Sequence, residues 1–361
     1  MRSVKDRIGK VFGNTKADAI VLLNTKTEDS NFLYLTGFTG GVFEGTLMLA
    51  SRKRLILFAS PLEYEIAKEQ RPKEMLVVRI ENADDIKKGM RAHLSNKIVG
   101  VNESFIPYSS YKKIKEYSGA RKLVDVSKAF DTARMIKSAD EIGNIRIANR
   151  ITKGAFAEVR KYIKSGMTEK ELAARLDYLM MERGADGLAF GTIVSFGKNA
   201  ALPHHMPDNT RLTSNSFVLM DFGAKYRNYC ADVTRTLIFH PDRKTERYKR
   251  MAEMYKIVKE AQAIALKAIT PGVDASTPHV EAEKHINEAA HGKYKGKFIH
   301  SLGHSVGIDV HDGRIGLSPN LHFKLKAGMV FSDEPGIYIV GFGGVRIEDD
   351  VLVTEKGGEI I

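Results

Sequence analysis

The sequence predicts two domains of different class: an α/β domain over residues 1–126 and an α+β domain over 137–361, whose helices pack on a mostly antiparallel sheet. Three observations point there. Residues 1 to about 125 alternate short apolar runs with helix-like stretches, the pattern of strands interleaved with helices. From Ser138 onward, helices with clear start signals are separated by strand-rich blocks with Gly-rich turns. At 361 residues the chain can also bury more than one core. The segment 127–136 is read as the linker.

In chain order, Ala19–Leu23 is a short apolar run. Residues 45–50 and 54–59 flank a polar turn at Ser51–Lys53 and read as a hairpin. Met75–Ile80, Ile98–Val101 and Leu123–Val126 are further buried-strand candidates, with helical stretches near 61–70, 83–95 and 107–118. Ser138-Ala-Asp-Glu141 forms a capping box and opens a helix with apolar residues from Ile142 to Ile163 at helical spacing. Thr168-Glu-Lys-Glu171 is a second box, and its helix stops at Gly184. A long helix over 244–269 ends before Pro271-Gly272, and another takes Thr277 as cap with Pro278 in its first turn. Segments 187–240 and 297–361 are the strand-rich parts.

Composition narrows the function classes. Hydrophobic content of 43% and charged content of 28% are ordinary for a soluble globular protein. No stretch approaches the roughly 20 apolar residues of a membrane helix, and the N-terminal residues 1–10 hold no apolar signal-like segment. A single cysteine, Cys230, excludes an intrachain disulfide, so the cytoplasm is the expected compartment. The net charge of +12 invites a nucleic-acid partner. The basic residues are scattered in short groups, however, with no aromatic-interleaved basic run, so a solvated lysine-rich surface is the favoured reading.

Chemistry concentrates in Asp221, Asp232, His304, Glu334 and Glu348. Phe217–Phe222 and Tyr229–Phe239 read as strands joined by a turn, a hairpin in which Asp221 and Asp232 can face each other, with Asp232, Thr234 and Thr236 on one face. An acid inside Val-Leu-Met-Asp-Phe needs an ionic partner if it is buried; taken alone, the pair reads equally as two turn-end aspartates near solvent. His304 lies in a Gly-flanked segment that lets backbone approach a ligand, although a lone histidine there is more often structural. Glu334 precedes Pro335-Gly336, and Glu348 interrupts a strong strand pattern. Four carboxylates in one pocket would repel each other unless cations balanced them. Two divalent ions would do so, with Mn, Co, Fe and Zn all tolerating such ligands, and would activate a water.

The segments Leu-Met-Asp-Phe-Gly, Cys-Ala-Asp-Val-Thr-Arg-Thr, Gly-His-Ser-Val-Gly-Ile-Asp-Val-His-Asp, Asp-Glu-Pro-Gly-Ile-Tyr and Gly-Val-Arg-Ile-Glu-Asp closely resemble the pita-bread metallopeptidases. Residues 1–125, with Phe32-Leu-Tyr-Leu-Thr-Gly-Phe-Thr-Gly40, resemble the creatinase-type N-terminal domain of the proline-specific branch. The resemblance implies a curved catalytic sheet and a homodimer. It implies that Asp221 chelates one metal, that Asp232 and Glu348 bridge both, and that His304 and Glu334 complete the second. A water or hydroxide between the metals would attack the scissile carbonyl while Glu334 handles the proton. His204 and His311 match the family's substrate-side histidines, able to donate to the oxyanion or the bound peptide. Arg314 is a candidate for gripping the free carboxylate of a dipeptide, and equally reads as a solvated loop arginine; Thr234 and Arg346 are candidates to orient the carboxylates.

Three positions depart from the family pattern: Ser305 and His205 stand where glycine is common, and Asp333 precedes Glu334 where an apolar residue is usual. On a strand, Asp333 would point away from Glu334. The expected function is hydrolysis of Xaa-Pro dipeptides, with proline as the small peptide substrate's second residue. An Xaa-Pro aminopeptidase acting on longer peptides is the close competitor. A non-catalytic pita-bread binding protein and a metal-free creatinase-like amidinohydrolase are further alternatives, which the complete ligand set disfavours.

Overall fold

The computed structural model of the chain describes residues 4–361; Met1, Arg2 and Ser3, the start of the segment read as lacking an apolar leader, lie outside the described residues. The chain divides into two units, Met1–Met135 and Ile136–Ile361.

The first unit runs α1 (Val4–Phe12), β1 (Ala19–Leu23), α2 (Ser30–Thr36), β2 (Leu47–Ser51), β3 (Leu55–Ala59), α3 (Tyr64–Gln70), β4 (Met75–Arg79), α4 (Ala83–Leu94), β5 (Ile98–Val101), α5 (Tyr108–Ser118), β6 (Lys122–Asp125) and α6 (Ser127–Met135). Its six-stranded sheet has the order β4-β3-β2-β1-β5-β6. β1 pairs antiparallel with β2 and parallel with β5, so the hairpin over 47–59 sits inside a mixed sheet. The apolar runs in β1 and β3 are buried almost throughout, as central strands covered on both faces require. Each expected strand and helix is present within a few residues of its predicted ends. Three helices were not foreseen: α1, α2 and α6. α2 is capped by Asp29, whose side chain accepts from the Asn31 N–H. α6 occupies the segment read as a linker, and it buries Ala129, Phe130 and Ala133.

The second unit continues with α7 (Ala139–Val159), α8 (Glu169–Glu182), β7 (Gly187–Leu188), β8 (Ile193–Phe196), a 3-10 turn (Gly197–Ala201), β9 (Ser216–Phe222), β10 (Ala224–Tyr226), β11 (Tyr229–Cys230) and β12 (Val233–Phe239). Two helices follow, α9 (Glu246–Ala268) and α10 (Thr277–Gly292), then β13 (Gly303–His304), β14 (Gly316–Leu317), β15 (Val330–Asp333), β16 (Gly336–Ile339), β17 (Gly343–Arg346), β18 (Asp349–Thr354) and β19 (Gly357–Ile360). Every described strand pair here is antiparallel, as expected, but the ladders are short: β11-β10-β7, β12-β9-β8, β13-β14, β15-β18-β19 and β16-β17.

Both predicted capping boxes are made: Ser138 and Glu141, and Thr168 and Glu171, exchange backbone and side-chain bonds reciprocally. α10 differs from expectation by one residue, with Ser276 rather than Thr277 at its cap. Its last turn also departs from helix at Ala289–His291, where Ala290 and His291 have positive φ. The apolar stripes of α7 and α8 pack with Met220, Phe222 and Val233 of the β8–β9–β12 ladder into one core. That core fixes the sheet from which the acids project.

Two strands expected to be continuous are interrupted, and the interruptions matter. Tyr229–Phe239 splits into β11 and β12 around Ala231–Asp232, and the strand through Glu348 splits into β17 and β18 around Ile347–Glu348.

Candidate active site

Asp221 sits on β9 directly opposite Thr234 of β12. Asp232 lies just before β12, two residues ahead of Thr234, so alternation puts its side chain on that same face. Its backbone N–H donates to Asp350 Oδ2 at 3.0 Å, and that oxygen also accepts from Asn149 Nδ2 at 2.7 Å. Burial raises the Asp350 carboxyl to about 7. Glu348, in the gap between β17 and β18, donates its N–H to Thr234 O at 3.1 Å. Thr234 in turn donates its hydroxyl to Glu348 Oε2 at 2.5 Å.

His304 arrives on β13, next to Gly303. A Cβ on Gly303 would stand 1.9 Å from Ser332 O, so only glycine lets this segment approach β15 so closely. The His304 N–H donates to Ser332 Oγ at 3.0 Å, and the Ser332 hydroxyl donates to Glu334 Oε1 at 3.1 Å. His304 Nε2 is 3.4 Å from both Asp232 Oδ2 and Glu334 Oε1. The ligand atoms of Asp232, His304 and Glu348 all lie within 4.8 Å of one another. All five side chains line a single cavity of about 830 Å³. The sequence reading thus names a group that the fold gathers.

Electrostatics bear on what the group can hold. Burial, then the neighbouring carboxylates, pushes Asp232 and Glu348 well above the usual carboxylate range. Asp221 is also raised by burial, against the pull of Arg346, whose Nη2 donates to Asp221 Oδ2 at 2.5 Å. Arg346 further donates from Nε to Thr234 Oγ1 at 2.9 Å and from Nη1 to the Tyr338 hydroxyl at 3.0 Å. Thr234 and Arg346 therefore fasten Glu348 and Asp221, the role foreseen for them. One oxygen of each aspartate, Asp221 Oδ1 and Asp232 Oδ1, is buried without a hydrogen-bond partner. Buried anionic oxygens left over after the protein's own bonds are made are what a cation satisfies. Oxygen donors with one imidazole suit a divalent ion, so the residues fit a metal.

His204 and His311 line the same cavity. The His311 ring stacks on His304 with centroids 3.7 Å apart, and burial, followed by the His304 charge, lowers its pKa. Asp333 is buried opposite Asp349 on the β15–β18 ladder and does not line the cavity. Arg314 is not brought in: it is exposed on the segment between β13 and β14, outside the lining residues, so this conformation does not place it to clamp a bound carboxylate.

Two lining features escaped the sequence reading. His300 Nε2 lies 2.8 Å from the Tyr338 hydroxyl, linking it to the Arg346 network. Burial lowers the His300 pKa and raises that of Tyr338 to about 12. His300 stands four residues before His304 in the same Gly-flanked segment, which was the available signal. His205 and Ser301 also line the cavity, and the rest of its wall is apolar, from Phe190, Ile193, Leu202, Pro203, Ile299 and Val310.

Residues 143–355 match the profile described as metallopeptidase family M24. The chain belongs to metallopeptidase family M24. In this M24 peptidase, residues 6–136 additionally match the creatinase/prolidase N-terminal domain. Among its relatives is the Xaa-Pro dipeptidase of Pyrococcus furiosus, 36% identical over 316 residues, covering 87% of this chain and 86% of that one. The structure of an Xaa-Pro dipeptidase from Bacillus anthracis superposes with a TM-score of 0.88 at 30% identity, covering 99% of this chain and 97% of that one. The X-Pro aminopeptidase of Thermotoga maritima gives a TM-score of 0.86 at 32% identity, with 97% of each chain covered. The M24 assignment makes this chain a hydrolase of the metallopeptidase class, and the expected two-domain fold is the one observed.

Proposed function

We propose that this M24 metallopeptidase hydrolyses Xaa-Pro dipeptides. The observation that carries the reading is the convergence of Asp221, Asp232, His304, Glu334 and Glu348, together with four more histidines, on one cavity. The dipeptidases of Pyrococcus furiosus and Bacillus anthracis, similar over nearly the whole chain, support the choice of substrate.

In this reading Asp221, Asp232, His304, Glu334 and Glu348 would hold two divalent ions, of Mn, Co, Fe or Zn. Bound there, the ions supply the Lewis acidity that makes water a nucleophile near neutral pH and polarises the carbonyl. Glu334, hydrogen-bonded by Ser332 and facing the cavity, takes up the water's proton and returns it to the departing proline nitrogen. His204 and His311 donate hydrogen bonds where negative charge develops on the carbonyl oxygen. Thr234 and Arg346 keep the carboxylates aimed. The apolar wall receives the pyrrolidine ring, whose tertiary amide lacks an N–H and needs no donor's partner there. We place the protein in the cytoplasm, which its single buried thiol suits, and expect a homodimer, as the family resemblance implies.

The second reading is an Xaa-Pro aminopeptidase, favoured by the equally close Thermotoga maritima neighbour and by the surface position of Arg314. Turnover of Xaa-Pro and Xaa-Pro-Yaa-Zaa by metal-reconstituted protein separates the two. A dipeptidase cleaves the first and not the second. A sustained preference for the longer peptide rejects the dipeptidase reading, and absence of turnover on both rejects the pair.

A further inference from the structure

Outside the carboxylate cluster, one buried acid holds an unusual number of groups. Glu169, the first residue of α8, is fully buried. Its Oε1 accepts from the Phe196 N–H at 2.7 Å and from Asn199 Nδ2 at 3.0 Å. Its Oε2 accepts from the Asp208 N–H at 3.0 Å and lies 2.7 Å from His205 Nε2. A carboxylate offers about four lone-pair sites, so these four contacts fill it. The cluster Glu169, His205 and Asp208 has the residue types of a metal site, but its central oxygens are already committed. It is a fastening.

What it fastens is the segment that carries His204 into the cavity. Phe196 stands at the start of that segment and Asp208 near its end, and one carboxylate ties both. Between them the backbone is closed only by turn bonds, Leu202 N–H to Asn199 O at 3.0 Å and His205 N–H to Leu202 O at 3.0 Å. His204 itself is exposed, and among the described residues no hydrogen bond holds its ring. The direction of that ring is therefore set by its neighbours along the chain. The neighbour that is anchored is His205, at a position where glycine is common in the family the chain resembles.

We propose that Glu169 and His205 form a latch that positions His204 toward the scissile carbonyl, making both positioning residues of the hydrolysis. The inference rests on the role given to His204 under the proposed function. It predicts that losing the His205 anchor leaves the substrate's ground-state contacts intact and misdirects a donor needed as charge develops. The loss then falls on kcat rather than KM. A displacement of about 1 Å at such a group costs on the order of a hundredfold, so about tenfold to a hundredfold is expected.

The test uses the full chain, metal-loaded, on an Xaa-Pro dipeptide. His205→Ala lowers kcat by that factor with KM changed less than about twofold, and His205→Gln, which keeps a donor for Glu169, recovers most of it. In a His204→Ala background, His205→Ala adds no further loss, because both act through one ring. Backbone amide exchange over 197–208 quickens in His205→Ala while the melting temperature holds. If His204→Ala leaves turnover unchanged, the role of His204 falls, and the latch falls with it. If His204→Ala lowers turnover but His205→Ala does not, or the two losses multiply in the double variant, the latch alone is overturned. Glu169→Gln opposes an amide N–H₂ to the N–H of either Phe196 or Asp208 and gives a larger loss; should it fail to fold, the His205 variants decide.

Discussion

Replacing Lys137 by methionine is a direct test of how the loop bearing His304 and His311 is held. Lys137 Nζ lies 3.2 Å from Asp312 Oδ2, with both side chains almost wholly buried at 1% and 2% exposure. The ammonium also donates to Ser305 Oγ at 2.9 Å. Asp312 follows His311 and Ser305 follows His304, and the Asp312 N–H donates to Ser305 O at 2.8 Å, so the lysine grips the loop at both histidines. Methionine keeps the stem and removes the ammonium that faces the buried Asp312 carboxylate. Breaking one side of such a pair costs about 3–5 kcal/mol. For a unit of this size each kcal/mol moves the melting temperature by about 2–4 °C, so calorimetry shows a drop of roughly 6–20 °C. Lys137→Met combined with Asp312→Asn removes the carboxylate charge as well and regains most of that loss. A single variant that melts within about 2 °C of the parent refutes the reasoning, because it would show the pair to be solvated or dispensable.

Asp232→Asn and Glu348→Gln each abolish dipeptide turnover while circular dichroism stays that of the parent, and metal analysis finds bound ion reduced; full activity in either ends the proposed mechanism. Removing metal with a chelator destabilises the protein more as pH rises. Without cations, the raised carboxyls of Asp221, Asp232 and Glu348 contribute stability that is complete below the ordinary carboxylate range and lost as pH climbs through their raised values. Cations need these groups ionised, so the melting gap between loaded and stripped protein widens as pH rises above the ordinary carboxylate range; a constant gap contradicts this. Arg314→Ala changes KM for Xaa-Pro by less than about twofold, as an arginine outside the cavity should; a rise of tenfold or more restores the carboxylate clamp.

Much of the site was readable because its residues break local rules. An aspartate within Val-Leu-Met-Asp-Phe and a glutamate interrupting a strand run are costly unless something compensates them, and Asp221 and Glu348 stand at such places. Capping boxes at Ser138 and Thr168 were readable for the same local reason, their partners being three residues away. What escaped depends on distance in sequence. His300 acquires meaning through Tyr338, and Lys137 through Ser305 and Asp312, pairings that no periodicity encodes. Glu169 was seen only as a residue within a capping box, since its partners lie at the end of β8 and on the loop that follows it. Arg314 shows the opposite limit: closeness in sequence to His311 did not carry its side chain into the cavity. Helix α6 was taken for a linker because few periodic positions fit in its short span.

The breaks in β11–β12 and β17–β18 have a consequence for how the molecule is assembled. The carboxylates lining the cavity are drawn from chain positions as far apart as Asp221 and Glu348, and no fragment holding a single hairpin contains them all. Long-range pairings of this kind form late, after loop closure has been overcome. Tight uptake of a divalent ion should therefore mark completed chains, and a truncated or stalled product would be blind to it.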